Sequence, residues 1–487
     1  MSSIDEIRDA KIKKLELLKK KGVNPYPALS KREMTLKSIV DSFDNLEKSK
    51  KTKWIGGRVM SIRGQGAIVF ITLNDGTGLF QGLLKRDILG NEKFDFFNKV
   101  VDMGDFIEVS GGFFTTKRGE KTIEVKDWIM LSKSLLPLPE KWHGLQDIEE
   151  RFRKRYLDIL MDPEIKELLE KKTKFWDTTR NFMKEHGFLE VETPTLEITT
   201  GGAEATPFKT YNEDFKLSLY LRISVGELWQ KRLMAAGFPK TFEIGRAYRN
   251  EGTDANHLQE FTNMEFYWAY ANYEDGMKLV EELYKKIAMD VFGKTKFETR
   301  GFKFDLGKKW ERIDYRETVK KETGIDVLHT TEEEIKKKLK KLKIVYDGDT
   351  MERLVDTLWK HCRKQISGPV FLTGHPKLVS PLSKSMEKNP ELTERFQIII
   401  AGTEIGNGYS ELNDPIDQRK RFEEQQALID RGDKEAMMPD KEFVEMLEYG
   451  MPPTCGFGFG ELLFAFLSDK PLRETQFFPL MRPKKEE

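Results

Sequence analysis

The rhythm of apolar and polar positions changes along the chain. Ile4, Ile7, Leu15 and Leu18 fall at helical spacing among lysines, and Gly22 with Asn24-Pro25 supplies a stop, so an amphipathic leading helix is predicted. Over residues 54–135 the rhythm shortens to alternation. Trp54-Ile55-Gly56-Gly57-Arg58-Val59, Ala67-Ile68-Val69-Phe70-Ile71-Thr72-Leu73, Leu79-Phe80-Gln81-Gly82-Leu83, Asp105-Phe106-Ile107-Glu108-Val109 and Thr122-Ile123-Glu124-Val125 read as five short strands. Asn74-Asp75-Gly76 and Lys117-Arg118-Gly119 are the turns between some of them. Leu135-Leu136-Pro137-Leu138-Pro139 is a proline-stiffened connector, followed by charged helix formers over residues 147–158. Beyond about residue 164, long helical stretches alternate with strand-like runs such as residues 396–401. Residues of about 320–365 read as a helical insertion, with a helix starting at the threonine cap Thr330-Thr331 before Glu332-Glu333-Glu334.

These elements predict an α+β chain. A helical extension over 1–50 precedes an OB-type β-barrel over 51–136, and a linker over 137–163 leads to a mixed domain over 164–487. Barrels of this type often bind single-stranded nucleic acid on their open face. Arg63, Phe70 and Gln81 on neighbouring strands would offer a cation, a stacking ring and an amide able to read a base edge. Phe70, at a mid-strand position, reads equally well as barrel core. The run Lys19-Lys20-Lys21 reads as a solvated helix face or as a contact for phosphate backbone.

Length and composition narrow this picture. A chain of 487 residues exceeds what one hydrophobic core holds, and 82 basic against 81 acidic side chains means that any polyanion site is a local patch. Cys362 and Cys455 are the only cysteines and stand in no metal-ligand spacing, which argues for a reducing compartment. No apolar run approaches the roughly 18 residues of a membrane span, and the N-terminus lacks the order of a signal peptide. A cytoplasmic protein with no membrane partner is expected.

Candidate chemistry gathers in the second domain. Gly187-Phe188-Leu189-Glu190-Val191-Glu192-Thr193-Pro194 is a helix-to-strand junction running into proline. Over residues 242–267, a strand-like run reaches Tyr248-Arg249-Asn250-Glu251, and a polar loop then leads to Glu260-Phe261-Thr262-Asn263-Met264-Glu265-Phe266-Tyr267. Two strands joined by this loop would present those side chains on one face. Thr454-Cys455-Gly456-Phe457-Gly458-Phe459-Gly460-Glu461 alternates glycine along a strand, where missing side chains let a flat or phosphorylated ligand approach the backbone.

In order and content these patches resemble motifs 1, 2 and 3 of class II aminoacyl-tRNA synthetases, and the whole chain is similar to the lysyl-tRNA synthetases. The likeness extends to His143-Gly144-Leu145-Gln146-Asp147 with Arg155-Tyr156-Leu157-Asp158, to Thr200-Gly201-Gly202-Ala203, and to Glu404-Ile405-Gly406-Asn407-Gly408-Tyr409-Ser410-Glu411-Leu412-Asn413-Asp414. The resemblance implies an antiparallel catalytic sheet flanked by helices, an OB anticodon domain, and a homodimer formed through motif 1. It implies ligation of L-lysine to tRNA(Lys) at the expense of ATP. Arg249 would hold the α-phosphate, Glu251 the adenine amino group, Phe261 the adenine ring, and His257 the pyrophosphate region unless it is simply exposed to solvent. Gly202, Glu227, Glu265, Tyr267, Asn407, Tyr409 and Glu411 would form the lysine pocket, with Glu411 meeting the side-chain ammonium. Mg²⁺ on the ATP phosphates would be met by Glu404, with Glu411 as a further acid and Gln397 where the family has a second metal-binding glutamate. Arg63, Phe70 and Gln81 would read the anticodon.

The chain departs from the family after the glycine strand, where Leu462 stands in place of an arginine that grips the γ-phosphate. A nearby Arg473 or Lys470 is a conceivable replacement. Other readings therefore stay open at this point: a weakened or non-catalytic tRNA-binding relative, motivated by Leu462 and Gln397, and an aspartate- or asparagine-type enzyme. The latter needs a cationic or amide pocket where this chain offers Glu227 and Glu411.

Overall fold

The computed structural model describes residues 3–139, 147–346, 348–433 and 435–484. The segment His143-Gly144-Leu145-Gln146 lies outside them. The chain divides into two compact units, Met1–Met161 and Asp162–Glu487.

In the first unit the leading helix Ile4–Lys20 starts at Ser3, whose hydroxyl and Glu6 form a reciprocal capping box. Only part of its apolar stripe is used: Leu18 is fully buried, whereas Ile4 is 65% exposed. Five strands then close a barrel, β1 (Lys53–Gln65), β2 (Ile68–Asn74), β3 (Leu79–Lys85), β4 (Phe106–Thr115) and β5 (Lys121–Ser132), in the order β1-β2-β3-β5-β4. Val69, Ile71 and Leu73 alternate inward along β2. Between β3 and β4 the helix Asn91–Val100 buries Phe94, Phe97 and Val100 in the same core. Burying each such aromatic side chain contributes about 1.5–3 kcal/mol.

The second unit is built on an eight-stranded sheet. Its strands are β6 (Leu189–Glu190), β10 (Lys240–Tyr248), β11 (Glu260–Ala269), β14 (Glu311–Asp314), β15 (Val370–Pro376), β16 (Leu392–Ile400), β17 (Thr403–Ser410) and β18 (Thr454–Gly460). They run in the order β14-β15-β16-β17-β18-β11-β10-β6, and every neighbouring pair but the outermost one at each end is antiparallel. The short strands β7 (Leu196–Glu197), β8 (Lys209–Asn212) and β9 (Leu217–Leu221) form a separate sheet, and β12 (Lys296–Thr299) pairs with β13 (Phe302–Asp305). Helices Pro163–Glu185 and Tyr273–Phe292 pack on one face of the large sheet, where Phe175, Phe242, Phe266, Leu283, Tyr284, Phe396 and Phe457 share one core. Helices Tyr315–Thr323, Glu332–Lys341 and Met351–Cys362 assemble a satellite core around Ile335, Leu354 and Trp359. Thr331 and Glu334 form the capping box that starts the second of these. With one face of the sheet covered by apolar packing, the polar side chains that alternate along β11 and β17 are left for the other face.

Candidate active site

Strands β10 and β11 pair with Glu243 opposite Glu265 and Ala247 opposite Phe261, and β18 sets Gly458 opposite Glu265 and Gly456 opposite Tyr267. On its other side β18 sets Gly458 opposite Asn407 and Gly456 opposite Tyr409. Since alternate residues of a strand share a face, Phe261, Asn263, Glu265 and Tyr267 come together with Asn407, Tyr409 and Glu411. They line one cavity of about 560 Å³, together with Gly202, Glu227, Arg249, Glu251, His257, Gln397 and Glu404. Every residue assigned to the second domain by family likeness thus reaches the same hollow.

One end of the cavity is an acidic pocket. Glu265 accepts from the Val225 amide at 2.7 Å and from Asn263 Nδ2 at 3.0 Å, and Tyr267 Oη donates to its other oxygen at 3.2 Å. Glu227 accepts a hydrogen bond from Tyr409 Oη. Burial, with Glu227 nearby, pushes the Glu265 carboxyl up to about 7, and burial pushes that of Glu411 up to about 8 against the pull of Lys231. The alternating glycines of β18 acquire a more local reason than ligand approach. A Cβ on Gly456 would lie 2.1 Å from Glu411 Oε1 and 2.6 Å from the Tyr267 ring, and one on Gly458 would lie 2.9 Å from Glu265 Cγ. Gly202 adopts φ +88°, and a Cβ there would stand 2.7 Å from Glu227 Oε2. The glycines make room for the acids. Sequence reasoning passed over Lys231, whose fully buried ammonium lies 2.9 Å from Glu227 and 2.6 Å from Glu411. Its position at i+4 from Glu227 on the helix Glu227–Ala235 was the available signal.

The other end is cationic. Arg249 donates from Nε to the Ile223 carbonyl at 3.4 Å, and its guanidinium lies 5.2 Å from the centre of the Phe261 ring. Burial lowers its pKa, and the Glu251, Glu265 and Glu404 carboxylates oppose that shift, so the site holds a cation poorly compensated by protein groups. His257 is more than half exposed, and its Nδ1 is 2.8 Å from Asp254 in the loop between β10 and β11. Leu462 lines the cavity and packs with Leu258, Ala465 and Leu472. Arg473 and Lys470, the nearby cations that could stand in for the arginine absent at Leu462, are not among the described residues that line the cavity. Instead Leu472 donates its amide to the Ala255 carbonyl at 3.0 Å and closes an apolar wall. Further cations, Arg353, Lys360, Arg363 and Arg395, line the cavity from the Met351–Cys362 helix, the turn after it, and β16.

Between the two ends, Gln397 donates to Glu404 at 2.8 Å, while its buried Oε1 finds no well-aligned hydrogen-bond donor among the described residues. Burial raises the Glu404 carboxyl against the pull of Arg395 and Arg363, the latter 3.8 Å away. An orphaned amide oxygen beside a carboxylate fits a hard cation such as Mg²⁺. Among the described residues no cluster of three or more His, Cys, Asp or Glu side chains surrounds it, so most ligands would have to come from phosphate and water. Glu411 drops out of the metal set, because the Lys231 ammonium at 2.6 Å holds the place a cation would take.

In the barrel, Arg63 lies directly across from Phe70, and Thr72, two residues on, lies across from Gln81. All three candidates therefore share the outward face, and Phe70 is half-buried while Ile71 beside it is core. Gln81 Nε2 donates to Thr122 at 2.8 Å, which turns its amide oxygen into the free end.

Residues 147–482 match the model of class II tRNA synthetases of the D, K and N type, and residues 53–131 match an OB-fold nucleic acid binding domain. The chain is 42% identical to the lysine–tRNA ligase of Thermotoga maritima, over 99% of this chain and 97% of that one. It is 41% identical to that of Roseiflexus sp. RS-1 over 99% of both chains, and 40% identical to that of Halalkalibacterium halodurans over 99% and 98%. With an anticodon-type barrel, an antiparallel catalytic sheet carrying the three motifs, and this identity over nearly its full length, the chain belongs to the lysine–tRNA ligase family of class II aminoacyl-tRNA synthetases.

Proposed function

We infer that this protein activates L-lysine with ATP and transfers it to the 3′ end of tRNA(Lys). The observation that carries the substrate is the buried trio Glu227, Glu265 and Glu411, an anionic pocket suited to a doubly cationic amino acid. The side chain of an aspartate- or asparagine-type substrate would bring no positive charge to Glu411, whose carboxylate would be left unmatched. Lysine lies with its side-chain ammonium toward Glu411 and its α-ammonium toward Glu227 and Gly202. Its carboxylate then points to the Arg249 end, where the α-phosphate arrives with adenine stacked on Phe261 and its amino group at Glu251. Arg249 spreads two donors over the charge that develops at phosphorus. No side chain need act as a nucleophile, since positioning alone makes the in-line attack effectively unimolecular. The Lewis acidity of Mg²⁺, held by Glu404 and Gln397 together with the phosphates, would neutralise the departing pyrophosphate. Arg63, Phe70 and Gln81 meet the anticodon. Exposed Leu189, Leu196, Ile198, Tyr211 and Phe215, on or beside β6–β9, support a homodimer through this region. Among the described residues no helix is long and apolar enough to cross a membrane; the cytoplasm, where tRNA is charged, is the place for the reaction.

Lysine-dependent ATP–pyrophosphate exchange is the expected result with purified protein, and exchange with no amino acid at all would overturn the reading. Because burial pushes Glu265 up to about 7 and Glu411 up to about 8, these two acids carry protons at lower pH and lose them as pH rises through that range. Only the ionised acids attract the substrate ammoniums, so KM for lysine is expected to fall roughly tenfold between about pH 6.5 and 8.5. A flat profile would disagree with the assignment.

The leucine wall favours a reduced grip on the triphosphate. Leu462→Arg is expected to lower KM for ATP and raise the exchange rate by about tenfold or more. An unchanged rate would mean that the γ-phosphate lies elsewhere, against the cations of the Met351–Cys362 helix.

A further inference from the structure

Lys231 is the one cation buried within the acidic pocket among the described residues, and the reaction proposed above gives it no task. Its ammonium is ion-paired to Glu227 at 2.9 Å and to Glu411 at 2.6 Å, and it lies 5.3 Å from the centre of the Tyr409 ring, 5.8 Å from Phe443 and 5.9 Å from Tyr267. A buried ammonium costs several kcal/mol unless its partners repay it. Here each partner is an acid that would otherwise be free to meet substrate. The groups facing it are Glu227 on its own helix, Tyr267 on β11, Tyr409 on β17, Glu411 just beyond, and Phe443.

The charge arithmetic is specific. In their ionised forms Glu227, Glu265 and Glu411 bring three negative charges and Lys231 brings one positive charge, leaving two for the substrate to meet. Free L-lysine has two ammonium groups, and its carboxylate faces Arg249 at the other end. Without Lys231 the same pocket would carry three unbalanced carboxylates. A doubly cationic ligand could not neutralise them, and one acid would bind a proton instead. A protonated Glu411 is a neutral hydrogen-bond partner, which no longer penalises an uncharged side chain.

We propose that Lys231 is a specificity-determining positioning residue, a fixed internal cation that matches the pocket to an amino acid bearing two ammonium groups. This rests on the lysine-activating function inferred above. Glu411 acts on the substrate, and Lys231 acts through Glu411 and Glu227 by standing between them as their shared counter-charge. A shape-filling role would need only the four-carbon stem, whereas this role needs the charge.

The test compares lysine with its neutral isostere 6-hydroxynorleucine in pyrophosphate exchange, in wild type and in Lys231→Met, which keeps the volume and deletes the charge. Wild type is expected to favour lysine strongly. Lys231→Met is expected to raise KM for lysine about a hundredfold with little change in kcat, and to shrink the preference for lysine by a similar factor. A preference kept within about threefold would overturn the proposal. Should Lys231→Met fail to fold by circular dichroism, Lys231→Ala with added butylammonium replaces it: recovery of lysine preference with the amine but not with butanol supports the role, and equal recovery with both, or none with either, overturns it. Wild type that exchanges with no amino acid would instead remove the function on which the proposal rests.

Discussion

Arg249→Ala is expected to slow lysine-dependent pyrophosphate exchange by about a thousandfold, while KM for lysine moves by no more than a few-fold. The asymmetry follows from position. Arg249 lies over Phe261 at the nucleotide end of the cavity, and its charge is imperfectly met by surrounding groups until a phosphate arrives. A donor that strengthens its contact only as charge builds at phosphorus lowers the barrier without tightening ground-state binding. The loss should fall at the upper end of what one donor removal costs, because the wall of Leu258, Leu462 and Leu472 supplies no second guanidinium. Arg249→Lys should recover only part of the rate, since an ammonium is a point charge and cannot bind two phosphate oxygens in a plane. A measured loss below tenfold for Arg249→Ala would assign the α-phosphate to one of the insertion cations instead.

Glu411→Gln carries the second large effect. Its carboxylate is 1% exposed, and Lys231 already occupies one side of it. The amide would leave two ammonium groups, one internal and one from substrate, without their shared counter-charge. Breaking a buried pair of this kind costs about 3–5 kcal/mol, so KM for lysine should rise by several hundredfold or more, with kcat at saturating lysine much less affected. Titration of lysine into the variant, followed by calorimetry, measures the loss directly. Retained affinity within tenfold would move the side-chain ammonium to Glu227 or Glu265. The contrast with Arg249→Ala is diagnostic, since one substitution acts on the rate and the other on substrate affinity.

The barrel was legible because half-buried strands write an alternation of period two into the sequence, and the turns at residues 74–76 and 117–119 punctuate it. The motif 2 strands were legible for the same reason: β10 and β11 are neighbours in sequence and pair in register, so the alternation of Phe261, Glu265 and Tyr267 already implied one face, with Arg249 and Glu251 just past the end of β10. The small helix Asn91–Val100 escaped notice because its apolar positions blend into the strand rhythm around it.

By itself, then, the sequence determined the kinds of element, the common face of the residues on β10 and β11, and the resemblance that points to lysine and ATP, since all of these depend on local periodicity or on motif content. What only the tertiary structure decided depends on contacts between segments far apart in the chain. Register across β17, β18 and β11 turned the glycines of motif 3 into space for Glu411, Tyr267 and Glu265 rather than simply for a ligand. Packing of the 470–476 segment against the loop after β10 made Leu462 part of an apolar wall of the cavity. The helix Glu227–Ala235 brought Lys231 between two acids, one on its own first turn and one beyond β17. A lysine in an amphipathic helix reads as solvated surface until the fold removes the solvent; burial and ion pairing are properties of the assembled core, and no local pattern in the chain encodes them.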